Sequence, residues 1–101
     1  MAIRTQKINE HELMIILDKQ FDFSCVEDFR RAYQGPDKDN KKTYVVDFKN
    51  TQYIDSSALG MLVNLQKRAA ETGAKVKLTN PSEQVKKLFA ISRFDKKFDI
   101  Q

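Results

Sequence analysis

A chain of 101 residues with 41% hydrophobic and 10% aromatic content carries enough apolar material for one core, expected to span residues 1–101, and is too short for separate catalytic and regulatory modules. No apolar run approaches the ~18 to 20 residues of a membrane span, and the opening M-A-I-R-T-Q-K lacks the apolar centre of a secretory signal, so a cytoplasmic location without membrane contact is expected. The formal charge of +4 comes from short clusters, at Lys38, Lys41 and Lys42, at Lys86 and Lys87, and at Arg93, Lys96 and Lys97. With no reader motif or aromatic platform beside them, they read as a solvated surface suited to an acidic protein partner rather than to nucleic acid.

Residues 3–8 alternate weakly and suit an edge strand, which leaves the state open between monomer and weak dimer. After a polar turn holding His11, the run Leu13-Met14-Ile15-Ile16-Leu17 reads as a buried strand hairpinned to the first. Asp22 follows, then Ser24 with Glu27 in capping-box spacing, and Cys25, Phe29 and Ala32, or Val26, Phe29 and Tyr33, form the stripe of a first helix. Gly35-Pro36 stops it, and residues 37–42 form a charged loop.

Tyr44-Val45-Val46-Asp47-Phe48 is rich in β-formers and is placed centrally in the sheet. A turn leads to Tyr53-Ile54, and a second helix closes at Thr72-Gly73. Lys75-Val76-Lys77-Leu78 reads as a strand. Asn80 is then read as the cap and Pro81 as the first residue of a third helix, which buries Val85, Leu88, Phe89 and Ile91. Phe94, Phe98 and Ile100 end the chain in a loop and a last short strand. Strands joined by crossover helices give an α/β fold, a mixed sheet of four or five strands with about three helices mainly on one face.

The most informative stretch is T-Q-Y-I-D-S-S-A-L-G-M, residues 51–61. Asp55, Ser56 and Ser57 each carry an oxygen able to cap the helix that follows. Ala58, Leu62, Leu65 and Ala69 form its buried stripe; at ~100° per residue Gly60, Asn64, Lys67 and Glu71 fall opposite, with Leu59 and Met61 on the flanks. One oxygen suffices for a cap, so at least one hydroxyl is left for another use.

Val45-Val46-Asp47-Phe48 followed by Tyr53-Ile54-Asp55-Ser56-Ser57-Ala58-Leu59-Gly60 resembles the core of the STAS domain family, specifically the small bacterial anti-sigma factor antagonists. Asn80-Pro81-Ser82 with Val85, Leu88 and Phe89 looks like that family's next helix. Ala58 departs from the glycine of many members, and Lys19 or Gln20 stands where the family usually has glycine.

The resemblance implies a STAS-like fold with the D-S-S turn exposed at one end of the sheet. It implies that Ser56 is phosphorylated by a cognate kinase and that Asp22 lies near it. The implied partners are an anti-sigma factor, often itself the serine kinase, and a metal-dependent serine phosphatase, or a response regulator carrying those activities. The docking face expected from the two readings together is Ser56 with Gly60, Met61 and Asn64, joined by Asp22, Asp55, Ser57 and Leu59.

The rival readings have less behind them. A small enzyme or nucleotide-binding protein using Asp22, Asp55 and the serines would lack a phosphate-cradling glycine loop and a paired base. His11 has no nucleophile elbow to serve. Lone Cys25 and His11 give no metal cluster, so no metal or cofactor is expected, and Cys25 reads as a small core residue. A passive scaffold role would leave Ser56 unmodified.

Overall fold

In the computed structural model, residues 3–34 and 41–101 are described. The Gly35-Pro36 break and residues 37–40 of the charged loop, Lys38 among them, lie outside the described residues. The elements run β1 (Ile3–Lys7), β2 (Glu12–Leu17), β3 (Gln20–Phe21), α1 (Val26–Tyr33), β4 (Thr43–Asp47), β5 (Tyr53–Ile54), α2 (Ser56–Glu71), β6 (Lys75–Thr79), α3 (Glu83–Ile91) and β7 (Asp99–Ile100). Three-residue 3-10 turns precede α1 and follow α3.

The main sheet has the order β1-β2-β4-β6-β7, antiparallel between β1 and β2 and parallel elsewhere; β3 and β5 form a separate parallel pair. This is the expected mixed α/β architecture, with β1 at an edge and β4 in the centre. Each parallel pair is bridged by a crossover helix, as chain connectivity requires.

Along β2 burial alternates, with Leu13, Ile15 and Leu17 sealed and Met14 and Ile16 only half-buried. The expected buried strand, hairpinned to β1, is thus sealed on one face and half-buried on the other. Register puts Tyr44 and Val46 of β4, then Val76 and Leu78 of β6, on the sealed face. An aromatic chain binds the layers. Ring centroids lie 5.0 Å apart for Phe21 and Phe29, 6.2 Å for Phe21 and Phe48, and 5.4 Å for Phe48 and Phe89. Phe21 thus ties the β3–β5 pair to α1, and Phe89 ties α3 to the end of β4, which fixes the ground on which the D-S-S turn stands.

Four local expectations are corrected. The Ser24 capping box does not form: Asp22 Oδ1 accepts both the Ser24 N–H (3.0 Å) and the Ser24 hydroxyl (2.6 Å), so a 3-10 turn intervenes and α1 starts at Val26. Asn80 does not cap α3; it adopts the left-handed conformation (φ 57°) and its amide donates to Asp47 Oδ1 (3.0 Å), while Ser82 takes the cap. Ile91 points outward and is 81% exposed. Lys41, counted among the solvated cations, is buried, with Nζ donating to the Glu10 carbonyl at 3.0 Å. Gly73 takes the left-handed conformation (φ 74°) after α2, as expected, and Cys25 is buried.

Candidate functional site

The D-S-S turn is held by the segments that flank it. The Gln52 and Tyr53 N–H groups both donate to the Lys19 carbonyl (2.8 and 3.2 Å), and the buried Thr51 hydroxyl donates to the Asp18 carbonyl (2.8 Å). The β3–β5 ladder sets Gln20 beside Tyr53 and Phe21 beside Ile54. Beyond that pair both segments leave the ladder, β3 through Asp22 into the 3-10 turn and β5 through Asp55 into α2.

Of the three candidate caps, Asp55 is the one used. Its Oδ1 accepts the Ala58 N–H at 2.9 Å, and its Oδ2 accepts the Phe23 N–H at 3.3 Å, so one carboxylate closes the first turn of α2 and pins the neighbouring 3-10 turn. Ser56 opens the helix, and both Ser56 and Ser57 are exposed. Among the described residues neither hydroxyl has a hydrogen-bond partner. The first turn of α2 holds no acidic residue, and the capping carboxylate meets the partial positive charge of its N–H groups.

The other expected face residues divide. Gly60 and Asn64 are exposed on the same side of α2, and Leu59 is half-buried against the core. Met61 is corrected: at 5% exposure it packs between α2 and α1 and cannot present itself on an open face. It lines a groove between these helices together with Val26, Phe29, Tyr33 and Asn64. In that groove burial pushes the Tyr33 hydroxyl above its ordinary pKa, against the opposing pull of the Arg30 and Arg68 charges. Asp22 is half-buried and its side chain caps the 3-10 turn.

Sequence reasoning missed Phe23. It is 71% exposed, and its backbone is fixed by Asp55 and by the Asp22-capped turn. It belongs to no apolar stripe, so spacing gave no signal for it. Among the described residues there is no cluster of three or more His, Cys, Asp or Glu suited to a metal ion, and no helix is long and apolar enough to cross a membrane.

The family model of the STAS domain matches residues 2–101. The chain belongs to the STAS family. A STAS-domain containing protein of Pseudomonas aeruginosa is 44% identical over 89 residues, covering 88% of this STAS chain and 87% of that protein. The fold is shared with the anti-sigma factor antagonist SpoIIAA in its unphosphorylated form, at a TM-score of 0.78 and 19% identity over 99% of this chain and 87% of that one. SpoIIAA from Bacillus in its phosphorylated form gives 0.73 and 19%, over 99% and 91%. A sulfate transporter family protein from Wolinella succinogenes gives 0.78 and 12%, over 90% and 74%. The STAS fold thus serves more than one setting, and the role of this member has to be argued from its site.

Proposed function

We propose that this STAS domain is a phosphorylation-regulated protein-binding switch rather than a catalyst, with Ser56 as the phosphoacceptor. The observation that carries the reading is the free, exposed Ser56 hydroxyl, left unused because Asp55 supplies the cap. Ser57 is equally exposed, and the choice of Ser56 rests on its place directly after the aspartate of the family motif.

Unphosphorylated, the surface formed by Ser56, Gly60 and Asn64, with Phe23 beside it, docks an anti-sigma factor or a kinase-bearing regulator in the cytoplasm. Gly60 has open space where a Cβ would stand, so a partner backbone can come close. Phe23 offers an exposed aromatic ring on a fixed backbone, a residue type enriched at interface cores.

Phosphorylation adds roughly −1.5 to −2 charge at pH 7. The helix N-terminus accepts that anion, so the fold persists, a view supported by the likeness of this chain to SpoIIAA in both of its forms. The interface does not accept it, because the phosphate must be desolvated beside Asp55. A penalty of about 3 to 4 kcal/mol weakens binding by roughly a hundred- to a thousandfold, enough for an on/off switch.

The test uses purified wild-type, Ser56→Ala, Ser56→Asp and Phe23→Ala chains against the partner recovered with the wild type. Ser56→Asp is expected to lose binding with native circular dichroism, Ser56→Ala to keep it, and Phe23→Ala to weaken it by about tenfold or more. Undiminished binding by Ser56→Asp overturns the switch.

A further inference from the structure

We propose that the groove between β5 and α3 is a second docking surface and that its occupant is an acidic amphipathic helix of a protein partner. The groove, about 320 Å³, has Tyr53 and Ile54 on one wall and Gln84, Lys87 and Leu88 on the other. Tyr53 is 53% exposed and Leu88 half-buried.

Ile91 extends this strip by one turn. It lies about 120° around α3 from the buried Val85, at i+3 from Leu88 and i+7 from Gln84, so positions 84, 88 and 91 form one ridge beside the core stripe. A single exposed isoleucine is ordinary; an isoleucine one turn beyond a half-buried leucine, on the same side of α3 as a groove walled by an exposed tyrosine, extends an apolar strip that no described residue covers.

Charge selects the occupant. Among the described residues no carboxylate lines the groove, Lys87 does, and Lys87 makes no ion pair. Its neighbour Lys86 reaches only the exposed Glu83, at 3.4 Å. Carboxylates flanking an apolar row therefore complement the site. Conformation is selected as well. An added β-strand would need the edge of β5, which is two residues long and offers few ladder bonds, whereas the α3 ridge has the i, i+4, i+7 spacing that a facing helix reads.

This surface goes beyond the Ser56 reading and does not depend on it. The test titrates the isotope-labelled full chain with a synthetic amphipathic helix of about four turns, leucines on one face and glutamates flanking them, and with the same peptide carrying lysine for glutamate. Amide shifts are expected at residues 52–54 and 84–91 with the acidic peptide alone. Lys87→Glu and Ile91→Asp, both at exposed positions, should weaken it about tenfold while keeping a native spectrum. Ser56→Asp should change it less than about threefold, so a failed switch and a failed groove give different results. Equal binding of both peptides, shifts centred on the α1–α2 groove, or occupation of the strip by a second copy of the chain would each overturn the proposal.

Discussion

Two helices of this molecule begin with a serine within reach of their first free N–H groups, and they use it in opposite ways. At α3 Ser82 is the cap: its hydroxyl accepts the Val85 N–H at 3.2 Å, and Glu83 adds negative charge in the first turn. At α2 the carboxylate of Asp55 is the cap, and Ser56 and Ser57 follow with their hydroxyls free. Ser24 is a third case: Asp22 caps the 3-10 turn, and the Ser24 hydroxyl donates to that same carboxylate instead of standing free. At the two α-helices, then, the serine caps the backbone where no carboxylate precedes it and is released from that task where one does. The carboxylate is the better acceptor, since a charged oxygen makes roughly twice as strong a hydrogen bond.

The largest effect should come from removing the acceptor that frees Ser56. Asp55→Ala takes away the α2 cap and the anchor of the Phe23 N–H together, at a cost of about 2 kcal/mol. That corresponds to a fall in Tm of roughly 8 to 16 °C for a domain of this size, read by thermal unfolding. Ser82→Ala removes one cap only and should cost about 1 kcal/mol, or roughly half that fall. Equal losses would mean that the Asp55 carboxylate does no more than an ordinary cap and would dissolve the contrast.

Much of this arrangement was legible beforehand, and the gaps have physical causes. The stripe Ala58, Leu62, Leu65 and Ala69 is sealed as periodicity predicted, because α2 packs on the sheet at β6. Met61 escaped because α2 packs against α1 as well as β6, which widens its buried face beyond a one-contact stripe. Asn80 has every local mark of a cap, but its amide partner is Asp47, a long-range neighbour that spacing cannot reveal. Ile91 continues an apolar pattern whose last member faces water; periodicity counts apolar residues without distinguishing core from patch. Phe23 is exposed for the same reason that it was overlooked, since it belongs to no stripe at all.

Gly60 sharpens the contrast between stability and use. It sits inside α2, exposed, and a Cβ built there meets nothing within 4 Å, so its own chain gives no reason for glycine. Gly60→Ala should stabilise the free protein by about 0.5 to 1 kcal/mol, raising Tm by several degrees. The same methyl should weaken partner binding by obstructing the backbone approach. A stabilised variant with undiminished binding would remove Gly60 from the interface.

The smallest expected effect is the most discriminating. If Asp55 alone closes α2, then Ser56→Ala and Ser57→Ala each remove a hydroxyl that holds nothing, and unfolding free energies should stay within about 0.5 kcal/mol of the parent. Alanine at either place also suits a helix slightly better than serine, so any shift should be toward stability. In the Asp55→Ala background the outcome differs. There the first turn is short of an acceptor, and fraying by one residue lets Ser56 become the cap, so adding Ser56→Ala should now cost about 1 kcal/mol that it did not cost before. That non-additivity, measured by denaturant unfolding of the four chains of the cycle, reports directly whether the carboxylate is what keeps the hydroxyl free; strictly additive values would show that Ser56 owes its freedom to something else.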